Sequence, residues 1–274
     1  MDEGFITRVL SAIVGIILLW FIINRGEAIF LSFIVLMSAV ANWELHRAFK
    51  KSGKDPNIIY STLTGTLLMV TVYFLPNVNT IFLPFLIIII LSFFSNMVNY
   101  DRNRMEDIVY TIFSFVYTFI PFTHIILIRN LQYGVAFVWW VFVTTWSCDT
   151  FAYIIGMLIG SRKLAPDISP NKSIEGSIGG IFGSIAASFL FARYALPQIS
   201  ASDAVIVGLL VGIFSQIGDL SASLIKRFCK IKDFSNLIPG HGGVLDRFDS
   251  ALFSFPVAYY YIIIAIQKGG FHWV

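Results

Sequence analysis

The sequence predicts an all-α integral membrane protein, a bundle of about nine transmembrane helices with a cytoplasmic N-terminus. Three observations carry this reading. Hydrophobic residues make up 57% of the chain and charged residues only 13%, against about 25% charged in an ordinary soluble domain. No Asp, Glu, Lys or Arg occurs anywhere from Pro56 to Tyr100, a stretch well beyond the roughly 20 residues that one span needs. The apolar segments are continuous and do not alternate with period two, so helices are expected and not a β-barrel.

Each element follows from its own boundaries. The first span, 5–23, comes after Met1-Asp2-Glu3-Gly4, acidic where a secretory signal would be basic, and reads as a retained helix. The second, 28–46, runs into Arg47, Lys50, Lys51 and Lys54. The uncharged run divides into 58–76 and 80–99 at Pro76-Asn77-Val78-Asn79. Spans at 107–128 and 134–159 are separated by Arg129 and a polar break. A basic, proline-containing loop follows, then spans at 174–196, 203–226 and 250–267. Pro84, Pro121 and Pro256 fall inside spans, where neighbouring helices can accommodate the kinks expected of them. With the N-terminus inside, all of the 19 Lys and Arg residues except Arg25, Arg129, Arg193 and Lys268 lie on the cytoplasmic side. That asymmetry fixes the orientation and supports an odd number of spans.

No internal repeat is visible, which counts against the common transporter architectures. Polar and glycine-rich material concentrates after residue 145, so 1–130 reads as helical scaffold. The catalytic region is expected within 131–274, with cytoplasmic loops at 160–173 and 226–249. A formal charge of +3 is too small to point to nucleic acid. Cys148 and Cys229 have no metal or redox spacing and are expected to be free thiols.

Three constellations could carry chemistry. In the sixth span, Asp149 stands in an apolar helix, where an ionised carboxylate costs about 2.5–3.5 kcal/mol on insertion scales and is rarely idle. Tyr153 lies one turn away, and Ala152, Gly156 and Gly160 form a stripe suited to close helix packing. In the eighth span, Gly212, Ser215, Asp219, Ser223 and Lys226 share one face. Asp219 lies about 10 Å along the axis from the Lys226-Arg227 pair. This suits a metal-bound polyphosphate, although an Asp–Lys pair that only locks helices would leave the same trace. The eighth loop then runs Lys230-Ile231-Lys232-Asp233-Phe234-Ser235, Ile238-Pro239-Gly240-His241-Gly242-Gly243 and Asp246-Arg247-Phe248-Asp249. Its glycines would let backbone N–H groups approach phosphate. Asp246 and Asp249 offer the oxygen ligands that Mg²⁺ prefers, and Arg247 could hold a phosphate bidentately. His241 fits an acid–base group, a phosphate donor or a loop anchor. Lys172 and the glycine face of Gly176, Gly180, Gly183 and Ala187 flank the sixth loop. Basic groups, glycine turns and acids at one membrane face fit phosphoryl or nucleotidyl transfer.

The pattern S-x-x-K-R-x₄-K-D-x-S-x₂-I-P-x-H-G-G-x-x-D-R-x-D from Ser223 to Asp249 resembles the signature of the phosphatidate cytidylyltransferase family, with every position filled. D-T-x-A-Y-x-x-G at 149–156 and I-S-P-N-K-S-x-E-G at 168–176 also resemble it, with Ser173 where threonine is common. The resemblance implies that CTP and phosphatidic acid give CDP-diacylglycerol and pyrophosphate, with Mg²⁺ required and a second cation to help two anions meet. It implies Asp219 and Asp246 as metal ligands, with Asp249 and Asp149 further out. Lys226 and His241 join those acids as catalytic candidates. Lys172, Arg227, Lys232 and Arg247 would neutralise substrate phosphates, with Ser223, Gly242 and Gly243 also at the substrate. A homodimer in the bacterial inner membrane, surrounded by lipid and binding no nucleic acid, completes the expectation. A CTP-dependent lipid kinase of the dolichol-kinase type stays open as an alternative, and so does a transporter using Asp149 and Asp219.

Overall fold

The computed structural model describes residues 3–98 and 105–267. Nine α-helices are present among them: α1 (Glu3–Arg25), α2 (Glu27–Lys51), α3 (Ile58–Phe74), α4 (Phe82–Val98), α5 (Met105–Arg129), α6 (Gly134–Ile159), α7 (Ile174–Ala195), α8 (Ala201–Phe228) and α9 (Leu245–Tyr261). Each corresponds to one predicted span. Seven helical stretches are long and apolar enough to cross a membrane, and Ile13–Arg25 and Ile58–Phe74 are shorter apolar helices. Large apolar side chains such as Leu63, Phe94, Phe182 and Leu190 are exposed along them, as expected of surfaces that meet lipid and not water. The chain is a multi-pass membrane protein. Arg102, Arg104 and Lys268, used above to orient the spans, lie outside the described residues.

The loop at 160–173 is not irregular. Lys163–Ala165 (β1) and Ser169–Ser173 (β2) form an antiparallel hairpin in which Lys163 opposes Ser173 and Ala165 opposes Ser169. Two prolines, Pro166 and Pro170, hide this hairpin from a reading based on strand propensity. Ser173 then caps α7, its Oγ accepting from Gly176 N at 3.1 Å. Glu175 accepts from Ser161 Oγ and from the Ser161 and Arg162 amides, tying the hairpin entry to the helix start.

The chain divides into two compact units, residues 1–130 with 225–248 and residues 131–224 with 249–274. The last turn of α8 and the first turn of α9 therefore belong to the first unit together with the loop they enclose.

In the first unit α3 packs against α5 through Gly65, where an added Cβ would lie 2.1 Å from the Phe119 ring. Phe115, Phe119 and Phe122 of α5 are wholly buried, as are Leu45, Leu68 and Met69. A buried amide links α2 to α3: Asn42 Nδ2 donates to Ser61 Oγ at 2.9 Å and Thr62 Oγ1 at 3.0 Å. Hydroxyls within α5 return to carbonyls one turn back, Thr118 to Ser114 and Thr123 to Phe119. Such bonds satisfy side-chain donors where no water is at hand.

In the second unit α6 and α7 lie close enough for backbone contact. A Cβ on Gly176 would sit 2.6 Å from Ala152 O, and one on Gly180 would sit 2.9 Å from Cys148 O. This is the packing role expected of the small-residue stripes. Across the facing surface of α7, Ser184 Oγ donates to Gly208 O at 2.8 Å and Ser188 Oγ to Ala204 O at 2.6 Å. Trp140 Nε1 donates to both O and Oγ of Ser188 at 3.0 Å. Gly218 admits the Asp249 carbonyl, 2.4 Å from where its Cβ would stand. Cys148 and Cys229 are both free and both buried.

Candidate active site

The site residues named above form two acid–lysine pairs, one in each unit. In the second unit, Asp149, Lys172 and Asp219 line a cavity of about 480 Å³ together with Tyr153, Asn171 and Gln216. The volume falls in the usual range for small-ligand sites, roughly 300–1,000 Å³. Three different elements deliver the charges: α6 brings Asp149, β2 brings Lys172 and α8 brings Asp219. Lys172 Nζ forms an ion pair with Asp219 Oδ2 at 2.5 Å, and an ammonium with three donors can serve a ligand as well as this one carboxylate. Asp149 Oδ1 accepts from Ser250 Oγ at 3.3 Å. Gln216 is held by Ser177, donating to its carbonyl at 3.0 Å. The packing glycines Gly156 and Gly176 form part of the wall. Close helix approach thus shapes the cavity as well as the bundle.

In the first unit the eighth loop folds around Asp246, which is 6% exposed. Its Oδ1 accepts from Lys226 Nζ at 2.8 Å, and its Oδ2 accepts from Phe234 N at 2.9 Å and Gly243 N at 3.0 Å. Lys226 also lies over the Phe234 ring, 5.5 Å from its centroid. Ile238 N donates to Gly242 O at 2.8 Å and His241 N to Ile238 O at 2.9 Å, closing the turn. Gly240 and Gly242 occupy the left-handed region at φ 73° and 82°, where glycine adopts the conformation at least cost. The His241 ring reaches α1, with Nδ1 2.8 Å from Ser11 Oγ.

A profile of the cytidylyltransferase family matches residues 6–265. The chain belongs to this family. A protein named phosphatidate cytidylyltransferase from Bacillus subtilis is 33% identical over 96% of this chain and 98% of its own length. Proteins of the same name from Staphylococcus saprophyticus and Staphylococcus aureus are each 32% identical over 91% of this chain and 96% of their own.

Among the residues expected to serve a cytidylyltransferase, Asp219 meets Lys172 and Lys226 meets Asp246. The spacing along α8 sets Asp219 two turns from Lys226 and leaves the partner of each open. Ser223 is half-buried on α8, while Arg227, Lys232 and Arg247 are exposed. Asp249 Oδ1 accepts from the adjacent Ser250 N at 2.7 Å. The amide of Gly243, expected to face phosphate, is engaged by Asp246. What this glycine provides is room, since its Cβ would lie 2.4 Å from Glu44 Oε1.

Glu44 is the residue that the sequence reading passed over. It is wholly buried on α2 and accepts from Ser235 Oγ, Val244 N and Leu245 N. The signal that picked out Asp149, an acid inside an apolar span, was present here too. Among the described residues no group of three or more His, Cys, Asp or Glu side chains converges. The carboxylates come singly or in pairs, the donor pattern that Mg²⁺ uses when substrate phosphates complete its shell.

Proposed function

We propose that this chain transfers the cytidylyl group of CTP to phosphatidic acid, giving CDP-diacylglycerol and pyrophosphate. The setting is a bacterial inner membrane, with the reacting centres at the cytoplasmic face. The observation that carries the reading is the near-complete coverage by relatives of that name, joined to a cavity in which Asp149, Asp219 and Lys172 meet. Cytoplasmic access is supported by the basic residues on the 226–247 loop and by the intracellular supply of nucleotide.

In the proposed reaction a phosphate oxygen of phosphatidic acid attacks the α-phosphorus of CTP. The new P–O bond forms as the bond to the bridging α–β oxygen breaks, and pyrophosphate leaves with that electron pair. Lys172 neutralises a phosphate within the cavity. Lys226, anchored by Asp246, and the exposed Arg227, Lys232 and Arg247 draw the two polyanions to the membrane surface. Within the second unit Asp219 would hold Mg²⁺, with Asp149 and Asp249 supporting, and hard carboxylate oxygens fit that ion; Asp246, its oxygens taken by Lys226 and two amides, holds the lysine and the loop in place. When bound, Mg²⁺ neutralises phosphate oxygens, and a second cation can share that load. The His241–Ser11 contact makes the histidine an anchor of the loop.

The test is product partition. Detergent-purified protein is incubated with phosphatidic acid, Mg²⁺ and CTP labelled at either the α- or the γ-phosphate. α-Label in lipid and γ-label in pyrophosphate support the reading; γ-label in lipid identifies a kinase instead.

A further inference from the structure

The eighth loop is gripped by two carboxylates, and only one of them belongs to the motif. Asp246 takes the amides of Phe234 and Gly243. Glu44 takes the Ser235 hydroxyl and the amides of Val244 and Leu245. The two acids thus hold adjacent residues on both arms of the loop, 234 and 243 by one, 235 and 244–245 by the other. Glu44 comes from α2, far away in sequence, and Gly243 leaves the space it fills. Val244 and Leu245 are the residues just before Asp246, at the start of α9, where unpaired helix N–H groups favour a negative charge. A wholly buried acid in a membrane span is costly unless several donors meet it. Here three do.

We infer that Glu44 is a positioning residue for cytidylyl transfer. It fixes the main chain that presents Asp246, and through Asp246 it holds the Lys226 ammonium. The inference rests on the proposed function, because Asp246 and Lys226 are placed there in the reacting machinery.

Glutamine is the informative replacement. It preserves volume but offers one acceptor oxygen and sets an –NH₂ against a backbone N–H. Glu44→Gln is expected to lower kcat by about tenfold or more, with KM for CTP within about threefold, since small misplacements of reacting groups cost that much. Trypsin should cut the loop at the exposed Lys230 and Lys232 faster in this variant than in the wild type. Ser235→Ala removes one donor and leaves both amide bonds, so it should shift both readouts in the same direction and less far. Asn42→Ala is the control: on the same helix as Glu44, it breaks two bonds to α3 and should lower thermal stability while leaving kcat and loop cleavage unchanged.

Wild-type kcat and cleavage rate in Glu44→Gln would overturn the inference. So would a loss of kcat in Asn42→Ala and Glu44→Gln that simply tracks their loss of stability. If the wild type itself makes no cytidine-labelled lipid, the proposed function fails. Loop cleavage then still decides whether Glu44 holds the loop.

Discussion

Replacing Asp246 by asparagine keeps the shape of the side chain and removes its charge. The carboxylate accepts from Lys226 Nζ, Phe234 N and Gly243 N, whereas an amide has a single acceptor oxygen. If that oxygen keeps the two main-chain donors, the –NH₂ faces the Lys226 ammonium. The side chains are 3% and 14% exposed, so little solvent is available to compensate. Breaking a buried pair by removing one partner costs about 3–5 kcal/mol, and the lower end applies because Lys226 keeps some contact with water. Asp246→Asn should therefore lose about 3 kcal/mol of stability, seen as a lower unfolding midpoint in detergent, and at least about 100-fold in cytidylyl transfer. The double variant Lys226→Met/Asp246→Asn removes the uncompensated ammonium. It should regain much of the stability and none of the rate. An Asp246→Asn enzyme with a wild-type midpoint and a rate within threefold would refute the reasoning.

Three further outcomes are expected. Lys172→Met keeps the methylene stem and deletes the charge facing Asp219; kcat/KM for phosphatidic acid should fall about 30- to 100-fold, with partial recovery in Lys172→Arg, and an unchanged value would remove the cavity from the reaction. Gly208→Leu forces a side chain where even a Cβ would stand 2.6 Å from Ile185 Cα. It should cost about 1–3 kcal/mol, lowering the unfolding midpoint while the folded fraction keeps its kcat. Burial raises the Cys229 thiol above its ordinary range, only partly offset by the Ser52 hydroxyl. At neutral pH it holds less thiolate than a free cysteine, and reaction with a maleimide should be slow until the protein is unfolded; prompt labelling of the native protein would contradict its buried placement.

Much of the fold was legible because membrane spans are written in composition. The nine apolar segments needed no long-range information, and the small-residue stripes of α6 and α7 announced close packing in the same local way. The candidate site was legible at the level of residue type. Asp149 stood out because a charge in an apolar helix is expensive, Asp219 because it lies on the polar face of α8, and Lys172 as a basic group on the 160–173 loop. Their pairing was not legible, because spacing along α8 can place Asp219 near Lys226 but cannot show that β2 brings Lys172 to it first. Cys229 falls within the predicted 226–249 loop, yet it is buried just after α8. Glu44 escaped for the same reason in reverse. It lies in the half read as scaffold, and only the fold brings the 226–249 loop to it.

The measurement that bears most directly on the account is the stoichiometry of CDP-diacylglycerol and pyrophosphate formed by purified wild-type protein and by Asp219→Asn in matched vesicles containing phosphatidic acid. Equal amounts of both products from the wild type, and neither from the folded Asp219→Asn variant, are predicted. Product at the wild-type rate from Asp219→Asn, or pyrophosphate formed without cytidine-bearing lipid, would contradict it.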